Sequence, residues 1–419
     1  MKYILKNCNI ITGVKNEEMF KGDILIEDEK IIKVSKEPIN ETCKVIDLSG
    51  KYVLPGLINA HVHLAGSGKP SKKKHDAEYV NNLLKHKLVT KVVKGMCKNF
   101  AKMEMLSGTT TIRLVGGLDH MDSEIKKELA SGGPRILSSD YALTVPKGHM
   151  AGTVAKVANN NEEFKLMLDD LIKHNVDLIK IMITGGVLDA SKKGEPGELR
   201  MHDAEVKFIC DYAHAHGLKV AAHVESSEGV RVALRNGVDT IEHGAKVDDE
   251  IINLFKESKA QLVCTLSPAA PMSFLDRNIL HLSEEQQFNA KVVFDGVVDC
   301  AKTCLREGIV VGLGTDTACP FVTHYDMYRE LVYANKYLGV SPLDAINMAT
   351  EVNANILGIS NVTGTIEEGK SADIIVSKSN PLVDLKVLGE LDSVIYKGKI
   401  SSKKVKKYKE IEEQLNTLA

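Results

Sequence analysis

Six side chains could act together: His61, His63, Lys180, His223, His243 and Asp316. Each lies within or just past a short β-branched or apolar run: Leu57 to Val62, Val176 to Met182, Leu218 to Ala222, Val238 to Ile241 and Ile309 to Gly314. In His61-Val62-His63 the two imidazoles share one side of a strand, because side chains alternate with period two. Both can therefore reach one ion at about 2.0–2.1 Å. The loop Leu64-Ala65-Gly66-Ser67-Gly68 follows them. His223 and His243 end successive strands 20 residues apart, which leaves room for one helix and two tight connections. As neighbours at the same strand ends they suit a second ion. Asp316, in Gly312-Leu313-Gly314-Thr315-Asp316, follows the last strand, where glycines permit close approach. A carboxylate there can bind the first metal and take a proton from bound water.

Lys180 is the least expected of the six. It lies in Val176-Asp177-Leu178-Ile179-Lys180-Ile181-Met182-Ile183, otherwise a buried parallel strand, and Thr184-Gly185-Gly186 follows. A bare ammonium in that setting carries a severe desolvation cost. Three chemistries are open: an ion pair, an amine of depressed pKa, or a lysine carboxylated by CO₂. The carbamate would turn a cation into an anion whose two oxygens can bridge two divalent ions.

A fold that gathers strand ends from across 260 residues is needed, and a (β/α)₈ barrel does this at its carboxyl face. Apolar strands expected near 57–62, 109–115, 134–138, 176–183, 218–223, 238–242, 261–265 and 309–314 alternate with helical segments, the signature of parallel βαβ units. The fold class is α/β: a TIM barrel over residues 56–359, with a small β-sandwich domain built from residues 1–55 and 360–400. Residues 401–419 read as an amphipathic C-terminal helix whose run Lys403, Lys404, Lys406, Lys407 forms a solvated face. Lys72, Lys73 and Lys74 read as part of a loop after the first barrel strand.

The 419 residues suffice for one barrel and an accessory domain. A net charge of −2 with both signs interspersed gives no electrostatic case for nucleic acid or a membrane surface. No apolar stretch approaches the roughly 18 residues of a membrane span, and Met1 to Ile11 lack the apolar core of a signal peptide. The eight cysteines show no CxxC and no disulfide-like framework. A cytoplasmic enzyme on a small-molecule substrate is expected, with homo-oligomerisation left open.

Several motifs resemble the amidohydrolase superfamily nearly end to end. "VLPGLINAHVH" is similar to that family's first-strand signature, and "GTTTIRLVGG", "LIKIMITGG", "AAHVESSEGVRVALRNGVDTIEHG" and "GLGTD" to its later strands. "NMATEVNANILGI" and "GTIEEGKSADIIV" resemble its C-terminal return into the sheet domain. The fourth-strand lysine with "IEHG" resembles the Xaa-Pro dipeptidase-like and arginine-carboxypeptidase-like branch. That resemblance implies a binuclear zinc site and cleavage of an amide, in a dipeptide or N-acyl amino acid, next to the C-terminal amino acid. It implies that His61, His63 and Asp316 hold one zinc and His223 and His243 the other. Carboxylated Lys180 and a hydroxide would bridge them, with Asp316 passing the proton to the leaving amine. By the same resemblance His149, in Pro146-Lys147-Gly148-His149, is a candidate electrophile or substrate contact.

Three positions depart from the family pattern. Asn59 stands where many relatives carry Asp, and is expected to orient a ligand imidazole without adding charge. Leu114 replaces an acidic residue, so a pocket polar group is expected to be missing. Glu225, two residues past His223, would favour a basic or amino group on the substrate if it enters the pocket. Two other functions compete. A mononuclear deaminase or cyclic-amide hydrolase of the same superfamily would need no bridging Lys180. A non-catalytic scaffold would not keep all six residues.

Overall fold

The computed structural model describes residues 1–71, 77–190 and 192–418. Lys72, Lys73 and Lys74 lie outside them. The first strands are β1 (Lys2–Ile10), β2 (Phe20–Glu27), β3 (Lys30–Ser35), β4 (Lys44–Asp47) and β5 (Tyr52–Pro55). Turns at Asp28–Glu29 and Ser49–Gly50 separate them as their composition predicts.

After Pro55 every position of β6 (Leu57–Val62) and β7 (Thr109–Leu114) is buried, as parallel strands covered on both faces require. The barrel continues through β8 (Arg135–Ser138), β9 (Ala142–Thr144), β10 (Ala155–Val157), β11 (Leu178–Met182), β12 (Lys219–Val224), β13 (Thr240–His243), β14 (Gln261–Cys264) and β15 (Val311–Leu313). β6, β7 and β8 pair in parallel, as do β9, β11, β12, β13, β14 and β15 in that order. The amide of Asp177 donates to the Ser138 carbonyl at 2.8 Å, which joins the two arcs. At the other seam the Thr315 and Asp316 amides donate to the His61 carbonyl at 3.3 and 2.9 Å. A side chain at Gly314 would meet His61 Cβ at 2.5 Å, so only glycine lets the last strand close on the first. The third barrel strand is broken between β8 and β9 by Asp140, which has φ +54°.

The chain ends in β16 (Ile374–Ser377), β17 (Ser393–Tyr396) and β18 (Lys399–Ser401). These extend the N-terminal sheet in the order β18-β17-β16-β5-β1-β2-β3, with β4 beside β1. β5 pairs antiparallel with β16, so both termini build one sheet. That sheet folds over its own core, which includes Tyr3, Leu5, Ile24, Ile26, Ile374 and Ile395. The architecture is the expected TIM barrel with a small β-sandwich.

One local expectation is corrected. The helix expected over 401–419 is confined to Lys409–Leu415. The basic run before it is neither helix nor strand: Lys404 Nζ donates to the backbone carbonyls of Leu391 and Asp392, and Lys407 lies over the Tyr328 ring. The segment after β14 forms helix Leu266–Phe274 despite Pro268 and Pro271. Its cap is remote: Glu330 accepts from the amides of Leu266 and Ser267, both at 2.7 Å. Among the described residues no helix is long and apolar enough to cross a membrane.

Candidate metal centre

The carboxyl ends of β6, β12 and β13 and the loop after β15 bring five of the six side chains into a ring-to-ring cluster. His61 and His63 rings lie 5.3 Å apart, His61 and His243 4.8 Å, and His223 and His243 4.7 Å. Asp316 Oδ1 sits 3.4 Å from His61 Nε2 and 3.3 Å from His63 Nε2. His61, His243 and Asp316 each offer a ligand atom within 4.8 Å of the others. These donors fit a divalent ion of the zinc type, which takes imidazole nitrogen and carboxylate oxygen. The division expected from sequence set Asp316 with His61 and His63, apart from His243. In the structure Asp316 is shared more widely.

The imidazoles are tethered from behind. His61 Nδ1 lies 2.7 Å from Glu242 Oε2, His63 Nδ1 2.8 Å from the Gly116 carbonyl, and His243 Nδ1 2.7 Å from Thr265 Oγ1. The carboxylate and the carbonyl accept, so Nδ1 carries the hydrogen in the first two rings and Nε2 keeps its lone pair. His243 gets to the cluster by a backbone irregularity. In the β12–β13 register His223 pairs with Glu242, and Val224 with His243. Period-two alternation would turn His243 away from the barrel interior. Its φ of +71° reorients it, and Asp316 is likewise left-handed at +53°.

Behind His61 lies a buried ion pair. Arg113 Nη2 donates to Glu242 Oε1 and Oε2 at 2.7 and 2.8 Å, and Thr240 Oγ1 donates to Oε1 at 2.7 Å. Burial alone would raise the Glu242 pKa, but Arg113, His61 and Lys180 hold it far below the usual carboxylate range. Burial would raise Asp316 too, and His61 and His63 pull it well down. Lys180 is 1% exposed, and its Nζ has no hydrogen-bond partner among the described residues. Burial lowers its pKa to about 8, against the opposing pull of Glu242 and Asp316. An orphaned amine in the field of His223, His243, Glu242 and Asp316 fits a lysine that would carry CO₂ in a metal-loaded site.

His223 and His149 rings stack at 4.2 Å with 5° between planes, and Asp189 accepts a hydrogen bond from His149 Nδ1. His223 Nε2 lies 3.3 Å from the Gly185 carbonyl, and burial, His149 and His243 hold this ring well below its usual pKa. Glu225 adjoins the same spot: a Cβ on Gly186 would meet His149 Cε1 at 2.8 Å and Glu225 Oε2 at 3.5 Å. Burial, then Asp316 and Asp189, push the Glu225 carboxyl up to about 8. Its Oε2 is buried with no partner among the described residues.

Two departures from the family pattern resolve differently from expectation. Asn59 orients no imidazole. Its Oδ1 accepts from the Thr315 amide at 3.0 Å and the His61 amide at 3.3 Å, and its Nδ2 donates to Thr315 Oγ1 at 2.7 Å. It clasps the backbones of the first strand and the last loop. Leu114 packs with Val62, Ile112 and Ile125 in an apolar cluster behind the strands, so no polar group is missing from the pocket there. Glu242, Arg113, Thr265 and Asp189 escaped the sequence reading. Thr240-x-Glu242, polar residues at period two inside an otherwise apolar strand, was the signal for the first.

The profile of the amidohydrolase family matches residues 52–401. Ochratoxinase of Aspergillus niger is 27% identical over 378 residues, covering 83% of this chain and 74% of that enzyme. A Bifidobacterium longum protein provisionally assigned as a prolidase superposes with a TM-score of 0.87 at 34% identity, over 99% of this chain and 98% of that one. A Xaa-Pro dipeptidase crystallised with methionine in its active site superposes with a TM-score of 0.85 at 27% identity, over 96% of this chain and 100% of that one.

Proposed function

We propose that this chain, which belongs to the amidohydrolase family, hydrolyses the amide bond to a C-terminal amino acid in a dipeptide or N-acyl amino acid. The likeness to a Xaa-Pro dipeptidase supports that substrate class. In this reading His61, His63 and Asp316 would hold one divalent ion and His223 and His243 a second, with Lys180, carboxylated by CO₂, as a ligand common to both. Two such ions lower the pKa of bound water towards neutrality and polarise the scissile carbonyl.

The remaining work falls to the protein's own groups. Asp316, kept ionised by His61 and His63, takes the proton from water at Oδ and hands it to the departing amine as the C–N bond breaks. His149, held at Nδ1 by Asp189, would contact the substrate beside the scissile carbonyl. Glu225 receives a basic or amino group of the substrate: a cation there would draw off the proton that burial otherwise favours.

The observation that carries this reading is Lys180, a buried ammonium without a partner amid the imidazoles. A one-ion deaminase has no use for it. The test is metal analysis and a dipeptide and N-acyl amino acid screen on the same sample, prepared with bicarbonate. About two ions per chain at the barrel centre, counted as the difference between wild type and a His61→Ala/His243→Ala variant, with release of a C-terminal amino acid is the expected result. One ion per chain, with deamination of a heterocycle instead, would replace this reading by the mononuclear one.

A further inference from the structure

A second group of donors lies between the loop after β7, the break in the third barrel strand and the end of helix Asn161–Lys173. We propose that His120, Asp170 and His174 form a further divalent-cation site of zinc-type preference, separate from the barrel centre. Each offers one ligand atom within 4.8 Å of the others. Asp170 and His174 are spaced i, i+4, so one helix end presents both.

The hydrogen bonds determine which atoms are available. His174 Nδ1 donates to the Asp170 carbonyl at 2.8 Å, which leaves Nε2 with its lone pair. His120 Nδ1 lies 3.0 Å from Asp140 Oδ2, and its Nε2 lies 3.0 Å from Asp170 Oδ2. A neutral imidazole has one N–H, so one of these carboxylates faces a lone pair unless a cation is supplied. Asp140 is fully buried and its Oδ1 accepts from the Ser123 amide at 2.8 Å, so it is a fixed tether for Nδ1. A carboxylate on Nδ1 with Nε2 turned to an ion is the arrangement that orients metal-bound histidine.

The His120 and His174 rings stack at 3.5 Å with 12° between planes. Three carboxylates converge on His120, with Asp119 Oδ1 at 3.8 Å joining Asp140 and Asp170. Against them stands Lys156, bound to Asp119 at 2.6 Å. With both rings neutral the cluster carries an excess of two negative charges, which a dication cancels. Two imidazoles and a carboxylate select zinc, and with it cobalt, nickel or copper, over magnesium or calcium. An ion there would tie the helix to the loop whose Gly116 carbonyl tethers His63.

The test uses the full-length holoprotein dialysed against buffered micromolar zinc, followed by metal analysis of wild type, His174→Gln and Asp170→Asn. His174 is partly exposed, so both variants are expected to keep the wild-type circular dichroism, and His174→Gln its turnover. The expected result is one zinc per chain fewer in each variant, with a smaller rise in Tm on zinc addition. Equal zinc content in all three proteins would overturn the proposal and leave His120 a simple imidazolium between carboxylates. So would a zinc difference that appears only where the circular dichroism has changed.

Discussion

Replacing Arg113 with methionine tests whether the ion pair behind His61 holds the site in shape. Arg113 is 3% exposed and Glu242 is fully buried. The substitution removes four donor contacts, to the Ala60 carbonyl, Thr240 Oγ1 and both Glu242 oxygens. It leaves Glu242 with His61 and Thr240 alone. Breaking one partner of a buried pair costs roughly 3–5 kcal/mol, because the other charge stays buried and uncompensated. Glu242 can escape that cost by binding a proton, but a protonated carboxyl competes with the N–H of His61 and frees the ring to turn. Loss of such an orienting partner weakens metal binding about 10–100-fold, or about 1.4–2.8 kcal/mol. Urea unfolding of chelator-treated protein gives the first quantity without contribution from bound metal, and competition against a chromogenic chelator gives the second. The double variant Arg113→Met/Glu242→Leu removes both charges and is expected to be more stable than Arg113→Met by at least about 1 kcal/mol. The reasoning fails if the single variant lies within about 1 kcal/mol of wild type, or if the double variant loses the full sum of the two singles.

Thr265→Val deletes the hydroxyl against His243 Nδ1, and a loss of metal affinity of about 10-fold or more is expected in the same competition assay. Asp316→Asn is expected to keep its circular dichroism and to lose about 10²–10⁴-fold in kcat, measured on whichever amide substrate the screen identifies. Glu225→Gln should weaken basic substrates relative to neutral ones, read as the ratio of their kcat/KM values; an unchanged ratio removes Glu225 from the substrate site. Burial, aided by Asp140 and opposed by His63, pushes the Asp122 carboxyl up to about 7. A raised carboxyl pKa means the folded state holds a proton the unfolded chain releases, so this stability is complete below about pH 4 and lost as pH rises through 7. Asp122→Asn should therefore flatten the fall in Tm between pH 5 and pH 8, and an equally steep fall in the variant would refute the assignment.

The barrel was legible because its strands are apolar on both faces and its helices carry local caps. The strand expected at 57–62 is Leu57–Val62, that at 218–223 is Lys219–Val224, and helix Asp203–Ala215 begins at the His202 cap. Elements held by distant residues were not legible. Helix Leu266–Phe274 draws its cap from Glu330, and Lys404 binds carbonyls of a segment that sequence periodicity cannot place beside it. The six candidate residues could be named because each lies within or just past a strand. Their supports could not, since Glu242 reaches His61 across 181 residues and Thr265 reaches His243 from the neighbouring strand. Asn59 misled for a related reason. Its place in the motif suggests an imidazole partner, whereas its amide is committed to the main chain of Thr315.

The seam between β6 and the segment after β15 sets an order of events during synthesis. His63 and Thr317 hydrogen-bond across 254 residues, and Asp316 lies beside them. A growing chain presents the first two imidazoles long before the carboxylate that completes their surroundings exists. The β5–β16 pairing that welds the terminal sheet comes later still. An ion held at the barrel centre would therefore be captured late, and a ribosome-stalled fragment ending before Asp316 lacks both the seam and the full donor set.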